Sequence, residues 1–229
     1  MPPSSPEPEE EGNANRRPDV LAGQHLPPPP RQARSRDKRE ALLQSALMLF
    51  AEQGYEQTAI EEIARGAGVA VGSFYQHFAS KRQILLVLMD RFLQEASLLT
   101  FEANSVAPSD LREGIARLVR QALQVDRMYA GAYHAWREAT VRDRELRRLQ
   151  QQIEAWTAHQ LALLFRALLQ VPGARPDVDG ETLAWEFALL LFRLAENPLE
   201  DLDTVVASLT GLMYHGLFTD SEAFPSKPG

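Results

Sequence analysis

The stretch from Thr58 to Phe78, TAIEEIARGAGVAVGSFYQHF, most limits the folds open to this chain. Ile60, Ile63, Ala64 and Ala67 repeat at the spacing of one helix face, and Gly66 and Gly68 end the pattern after about two turns. Thr58 stands three residues before Glu61, the spacing of a capping box. The predicted helix, about 59 to 66, is too short to hold a core alone, and so is its successor, about 70 to 77. Upstream, Leu42, Leu43, Ala46, Leu47, Leu49, Phe50 and Tyr55 line one side of a longer helix over about 35 to 53, with Gly54 as its left-handed cap. Two short helices joined through glycine and braced by a longer one match the helix-turn-helix, whose second helix enters the major groove.

In that arrangement Val71, Gly72, Ser73 and Gln76 are the candidates to face bases. Serine and glutamine can hydrogen-bond a base edge, valine meets only a thymine methyl, and glycine lets the backbone come close. A glycine there also fits a close helix crossing. Tyr75 carries a hydroxyl on a rigid ring, suited to a phosphate oxygen, while Phe74 and Phe78 read as core anchors. His77 reads either as a phosphate donor or as a group packed at the surface. Thr58 at the start of the earlier helix and Lys81 at the start of the next are further phosphate candidates, since unpaired N–H groups at a helix start favour an anion.

The net charge of -7 argues against a nucleic-acid partner until its distribution is considered. Residues 31–82 carry eight bases and six acids, and RQARSRDKR, Arg31 to Arg39, holds five of those bases. Phosphates respond to the field within a screening length of about 10 Å, so this patch, with Arg36 and Arg39 in it, can serve an acidic protein. The same run also reads as a solvated helix start and linker.

Nine of the fifteen prolines lie in residues 1–32, which are expected to be a disordered tail ending in polyproline. The head is expected over 33–80, a larger helical domain over 81–218 and a flexible tail over 219–229. Helices are predicted over about 81–99, 111–126, 127–139, 143–169, 181–195 and 201–218, so the fold class is all-α. No cysteine is present and no apolar run reaches the roughly 18 residues that cross a bilayer, which makes the cytoplasm the default location, with no membrane partner.

The run TAIEEIARGAGV followed by AVGSFYQHFASK, with Ala46, Phe50, Gly54 and Tyr55 before it, resembles the signature of TetR/AcrR transcriptional regulators over about residues 37 to 90. The resemblance implies a homodimer of helical subunits. Each would have a head that binds double-stranded operator DNA and a C-terminal domain that takes a small-molecule effector and dimerises. It implies a repressor released by its effector, phosphate contacts from Thr58, Tyr75 and Lys81, groove approach at Gly72 and Ser73, and a core of Phe50, Ile63, Ala64, Val69 and Phe78. Ala70 and Val71 depart from the pattern, which often has Ser or Thr and a polar residue there, so the recognition helix lacks a side-chain cap.

For the effector, an apolar or amphipathic small molecule of unspecified identity, Met128, Tyr129, Tyr133, His134, Phe165 and Trp185 are the expected lining. Each aromatic also fits ordinary core. The last two helices carry more apolar surface than one side of a peripheral helix needs. Leu189, Phe192, Val205, Leu209 and Leu212 are therefore the expected dimer seam. His134, His159 and His215 are scattered, so no metal and no cofactor is expected. An enzyme would need a nucleophile or an acid-base pair in one cleft, and no such motif occurs. A helical interaction scaffold without DNA binding remains the alternative.

Overall fold

A computed structural model describes residues 16–27, 32–99, 110–196 and 201–218. The expected C-terminal tail, 219–229, lies outside the described residues, as do residues 1–15 and 28–31 of the expected N-terminal tail. In chain order the helices are α1 (Ala33–Gln57), α2 (Ile60–Gly66), α3 (Val71–His77), α4 (Lys81–Ser97), α5 (Leu111–Met128), α6 (Ala130–Thr140), α7 (Arg144–Leu168), α8 (Gly180–Glu196) and α9 (Leu202–Leu217). The fold is all-α, with a helix-turn-helix head and a larger helical body.

Each predicted helix is present, with ends that coincide or shift by up to four residues. Gly54 takes a φ of 81°, on the left-handed side as expected, and the backbone kinks there before α1 ends at Gln57. The cap of α2 differs from the expected one. Ala59, not Thr58, precedes the helix, and Glu62, not Glu61, closes the box by accepting the Ala59 N–H at 3.1 Å. Gly68 supplies the left-handed residue of the following turn, with φ 66°. Ala70 precedes α3 with no side-chain cap, as its methyl requires.

The chain forms two compact units, and their limits differ from a boundary at residue 80. One unit takes Pro18–Glu95 and Met128–Gln151, and the other includes Ala96–Arg127 and Gln152–Gly229. In the first, Leu42, Leu43, Ala46, Phe50, Ile63, Ala64, Phe74, Phe78, Ile84, Leu85 and Trp136 are all buried to at least 99%. Val69, expected in this core, is only half-buried. The Trp136 indole donates to Gln150 Oε1 at 2.7 Å, which satisfies both polar groups in the interior. Residues 18–27 also belong to this unit. They depart from the expected disordered tail, because Pro18 and Val20 are buried and Leu21 and Leu26 are half-buried.

Helices α1 and α6 cross closely. A Cβ on Gly131 would lie 2.3 Å from the Leu47 carbonyl oxygen and 2.9 Å from the Ala51 nitrogen, so backbone blocks any side chain there. In the second unit the core joins Leu111, Ile115, Val119 and Leu123 of α5 to Phe165, Phe187, Val206, Met213 and Leu217. Phe165 and Phe187 meet edge to face at 5.3 Å. Asp201 caps α9 through the amides of Asp203 and Thr204.

Substituting Gly131 by alanine should lower folding stability by about 1 to 3 kcal/mol, because backbone cannot swing aside. The same change at Gly211, a helical position with nothing within 4 Å of an added Cβ, should be neutral or stabilise by up to about 1 kcal/mol. Urea unfolding followed by circular dichroism reads both, and equal effects at the two sites would rule out the crossing as the cause.

Candidate nucleic-acid interface

Helix α3 is seven residues long, and its two sides differ sharply. Phe74 and Phe78 are fully buried and their rings meet at 6.0 Å. His77, three residues after Phe74, falls on that same inner side and is only 6% exposed. Val71, Gly72, Tyr75 and Gln76 are exposed, Tyr75 at 53%. An added Cβ at Gly72 meets nothing within 4 Å, so this glycine does not serve a helix crossing. Ser73, expected to face bases, turns its hydroxyl into the protein, where Oγ is buried without a hydrogen bond. The hydrogen-bonding side chains that α3 exposes are therefore Tyr75 and Gln76.

Three expected phosphate contacts are turned inward. The Thr58 hydroxyl donates to the Gly54 carbonyl at 2.6 Å, and the residue is 2% exposed. The nearby Ala59 N–H is taken by Glu62, whose carboxyl sits below its usual range because of that bond and one from Gln53. The Lys81 ammonium donates to the carbonyls of Tyr55, Glu56 and Thr58, the last at 2.9 Å, and lies 4.4 Å from the Tyr55 ring centroid. An ammonium has three N–H donors, and all three are used. Burial pulls the Lys81 pKa down, against the opposing pull of Glu56 and Glu138. His77 is the third: burial first, then Arg39 and Lys38, hold its imidazole below the ordinary value.

The basic run also divides. Arg34 and Arg36 stand exposed on the first turns of α1 rather than in a linker. Arg39 is half-buried, with its guanidinium 4.9 Å from the Phe78 ring centroid. Burial, followed by Arg91, lowers its pKa. Glu40 pairs with Arg91 through two bonds of 2.8 and 2.7 Å.

Glu138 is a buttress of this head. It accepts the backbone N–H of Tyr55 at 2.6 Å and of Glu56 at 3.2 Å. Arg82, the neighbour of Lys81, pairs with Asp143 at 2.7 Å and Glu145 at 2.8 Å. No sequence signal pointed to Glu138; in the structure the bare Gly54 makes room for it, since a Cβ there would stand 2.7 Å from that carboxylate.

The six expected effector residues do not form one wall. In the first unit Tyr129 and Tyr133 are buried, with Tyr129 5.9 Å from the Phe92 ring, while Met128 and His134 are exposed. In the second, Phe165 is core and Trp185 is 51% exposed. The dimer set divides as well. Val205 and Leu209 are buried in the core of their own unit and Phe192 is half-buried, whereas Leu189 and Leu212 are exposed. Asp126 on α5, which no motif flagged, is half-buried, and desolvation pushes its carboxyl up to about 7. Among the described residues no three His, Asp or Glu side chains gather as a metal site, and no helix is long and apolar enough to cross a membrane.

Residues 42–88 match the family model of the bacterial regulatory proteins of the tetR family. The transcriptional regulator TcmR of Streptomyces glaucescens is 37% identical over 82 residues, 36% of each chain. The A-factor receptor protein of Streptomyces griseus is 32% identical over 130 residues, 51% of this chain and 46% of that one. This chain thus spans less than half the length of these curated relatives. The crystal structure of a gamma-butyrolactone receptor shares the fold, with a TM-score of 0.63 over 82% of this chain and 92% of that one at 19% identity.

Because the folded pKa of His77 lies below its unfolded value, the unfolded chain binds more protons between the two, and stability falls as pH drops through that window. The melting temperature should therefore fall between about pH 7.5 and about pH 5.5, and His77→Gln should flatten that fall. Parallel slopes for the two proteins would remove His77 as the cause.

Proposed function

Because residues 42–88 make this chain a member of the tetR family of bacterial regulatory proteins, we propose that it binds double-stranded operator DNA as a homodimer and represses transcription until a small apolar or amphipathic effector releases it. The observation that supports the DNA reading best is the division of α3. Two aromatic rings anchor one side, and Val71, Gly72, Tyr75 and Gln76 are presented on the other. Open space at Gly72 favours close approach of backbone to DNA, since no neighbouring helix claims it. Tyr75 supplies a phosphate contact, Gln76 the polar base contact and Val71 an apolar edge. Arg36 adds charge from α1. Thr58, Lys81 and His77 hold the head's shape, and Ser73 reads no base in this geometry.

For the second domain, two lines favour a small-molecule response. One is the A-factor receptor protein, named as a receptor among the sequence relatives, and the other is the gamma-butyrolactone receptor, named as one among the solved structures that share the fold. Dimerisation is favoured by Trp185 and Leu189, one turn apart on α8, and by Leu212 on α9. These three large apolar side chains remain 51%, 65% and 58% exposed. Leu189 and Leu212 belong to the expected seam, and Trp185 joins them in place of its expected role at the effector.

Selection from random duplexes at moderate salt should enrich a near-palindromic site whose affinity falls with added salt. Gly72→Ala should leave thermal stability equal or higher yet weaken binding to that site by about tenfold. Tyr75→Phe should weaken all duplexes alike, and Ser73→Ala should not alter preference. No enriched duplex would refute the DNA reading and favour an interaction scaffold.

Leu189→Arg should raise the dimer dissociation constant at least about tenfold with helix content unchanged. Sedimentation velocity across a concentration series reads this, and an unaltered dimer would move the seam away from α8.

A further inference from the structure

Residues 18–27 precede the head in sequence and are built into it in space. The Asp19 carboxylate accepts the Leu21 N–H at 3.1 Å, and turn bonds follow from Ala22 to Asp19 and from Gln24 to Leu21. Val20 is 1% exposed and Pro18 is buried, so the segment is seated on the protein rather than lying in solvent. Its link to the head is Gln83, on the first turn of α4, a buried side chain whose amide serves two segments at once. Gln83 Nε2 donates to the His25 carbonyl at 2.9 Å, and Gln83 Oε1 accepts the Ala79 N–H at 2.7 Å. Ala79 lies in the three-residue turn between α3 and α4. One planar amide therefore ties the N-terminal segment to the turn that fixes where α3 ends.

A buried primary amide needs both its donor and its acceptor satisfied, and removing one partner costs more than the bond itself contributed. Gln83 can hold Ala79 in this pose without loss only while the His25 carbonyl receives its N–H. We propose that residues 18–27 are a strap whose docking through Val20 and Gln83 holds the α3–α4 turn, and with it the DNA-facing side of α3, in its binding pose. The strap touches no DNA itself. Its effect is on the fraction of heads in the binding pose, which scales the apparent affinity directly. The DNA-binding part of this inference rests on the proposed function, whereas the seating of the strap does not.

Val20→Asp in the full chain tests it, because a carboxylate cannot remain at that buried position and the strap must leave. Hydrogen exchange should show faster exchange across residues 18–27 and, as the informative signal, at the Ala79 amide. The dissociation constant for the duplex enriched from random DNA should rise about tenfold. Its salt dependence should keep the same slope, since no phosphate contact is lost. If Val20→Asp loses its helical signal, Val20→Ala, which trims the strap without introducing charge, should shift both readings the same way by a smaller factor. Unchanged Ala79 exchange after release of the strap would overturn the proposal, and so would an unchanged dissociation constant. If the unaltered protein selects no duplex, the functional reading falls, and Ala79 exchange alone still decides whether the strap holds the turn.

Discussion

The pose of the head depends on how five residues, from the kink near the end of α1 to the turn before α2, satisfy their backbone. From Gly54 to Thr58 the chain leaves the regular part of α1, reverses and enters α2, so its peptide groups need partners from elsewhere. Glu138 accepts the N–H groups of Tyr55 and Glu56, while Lys81 donates to the carbonyls of Tyr55, Glu56 and Thr58. The Thr58 hydroxyl takes the Gly54 carbonyl. An acid from α6 and a base from α4 thus hold opposite poles of the same turn. Since α2 starts from that turn and α3 follows α2 after four residues, the direction of the recognition helix is set here before any DNA is present.

The local layers of this fold were legible in the sequence because each has a local cause. Helix faces follow a 3.6-residue repeat, so spacing alone put Leu42, Ala46 and Phe50 on one apolar face and Ile63 and Ala64 on another, and all five are buried. Gly54 was assigned its unusual φ from its place after an apolar run. The buttress was not legible. Lys81 and Glu138 act across 26 and 83 residues of chain, and no periodicity links a charged side chain to a distant backbone group. On sequence alone a charge is read as facing solvent or a charged partner, which is why Lys81 was assigned to phosphate. Val20 was missed for the opposite reason: the short run Val20, Leu21 and Ala22 is too brief to show a helix or strand period, yet Val20 is nearly fully buried.

His77 and Ser73 show the same limit within a single helix. A helix of under two turns has room for few inward positions, and Phe74 fixes which side those occupy. His77, one turn on, must then point inward. Its burial costs protonation rather than packing, and Arg39 and Lys38 add to the pull that holds its imidazole below the ordinary value. Aromatic spacing alone would have placed His77 correctly, had its chemistry not suggested a phosphate.

With Ser73 and His77 turned inward, a head that meets DNA through α3 offers a phenol, one carboxamide, a valine edge and bare backbone at Gly72. Of these only Gln76 can make the paired donor and acceptor contact that distinguishes one base pair from the rest. One such contact is worth about 1 to 3 kcal/mol against a wrong base, while specific sites exceed non-specific DNA by about 4 to 10 kcal/mol. The remainder must come from duplication of the head in a dimer, which doubles each contact and imposes a half-site spacing, and from the cost of shaping DNA to fit a close-lying backbone. On the proposed reading, so sparse a recognition helix would make the geometry of the frame, held by Glu138 and Lys81, a determinant of sequence preference as well as of stability.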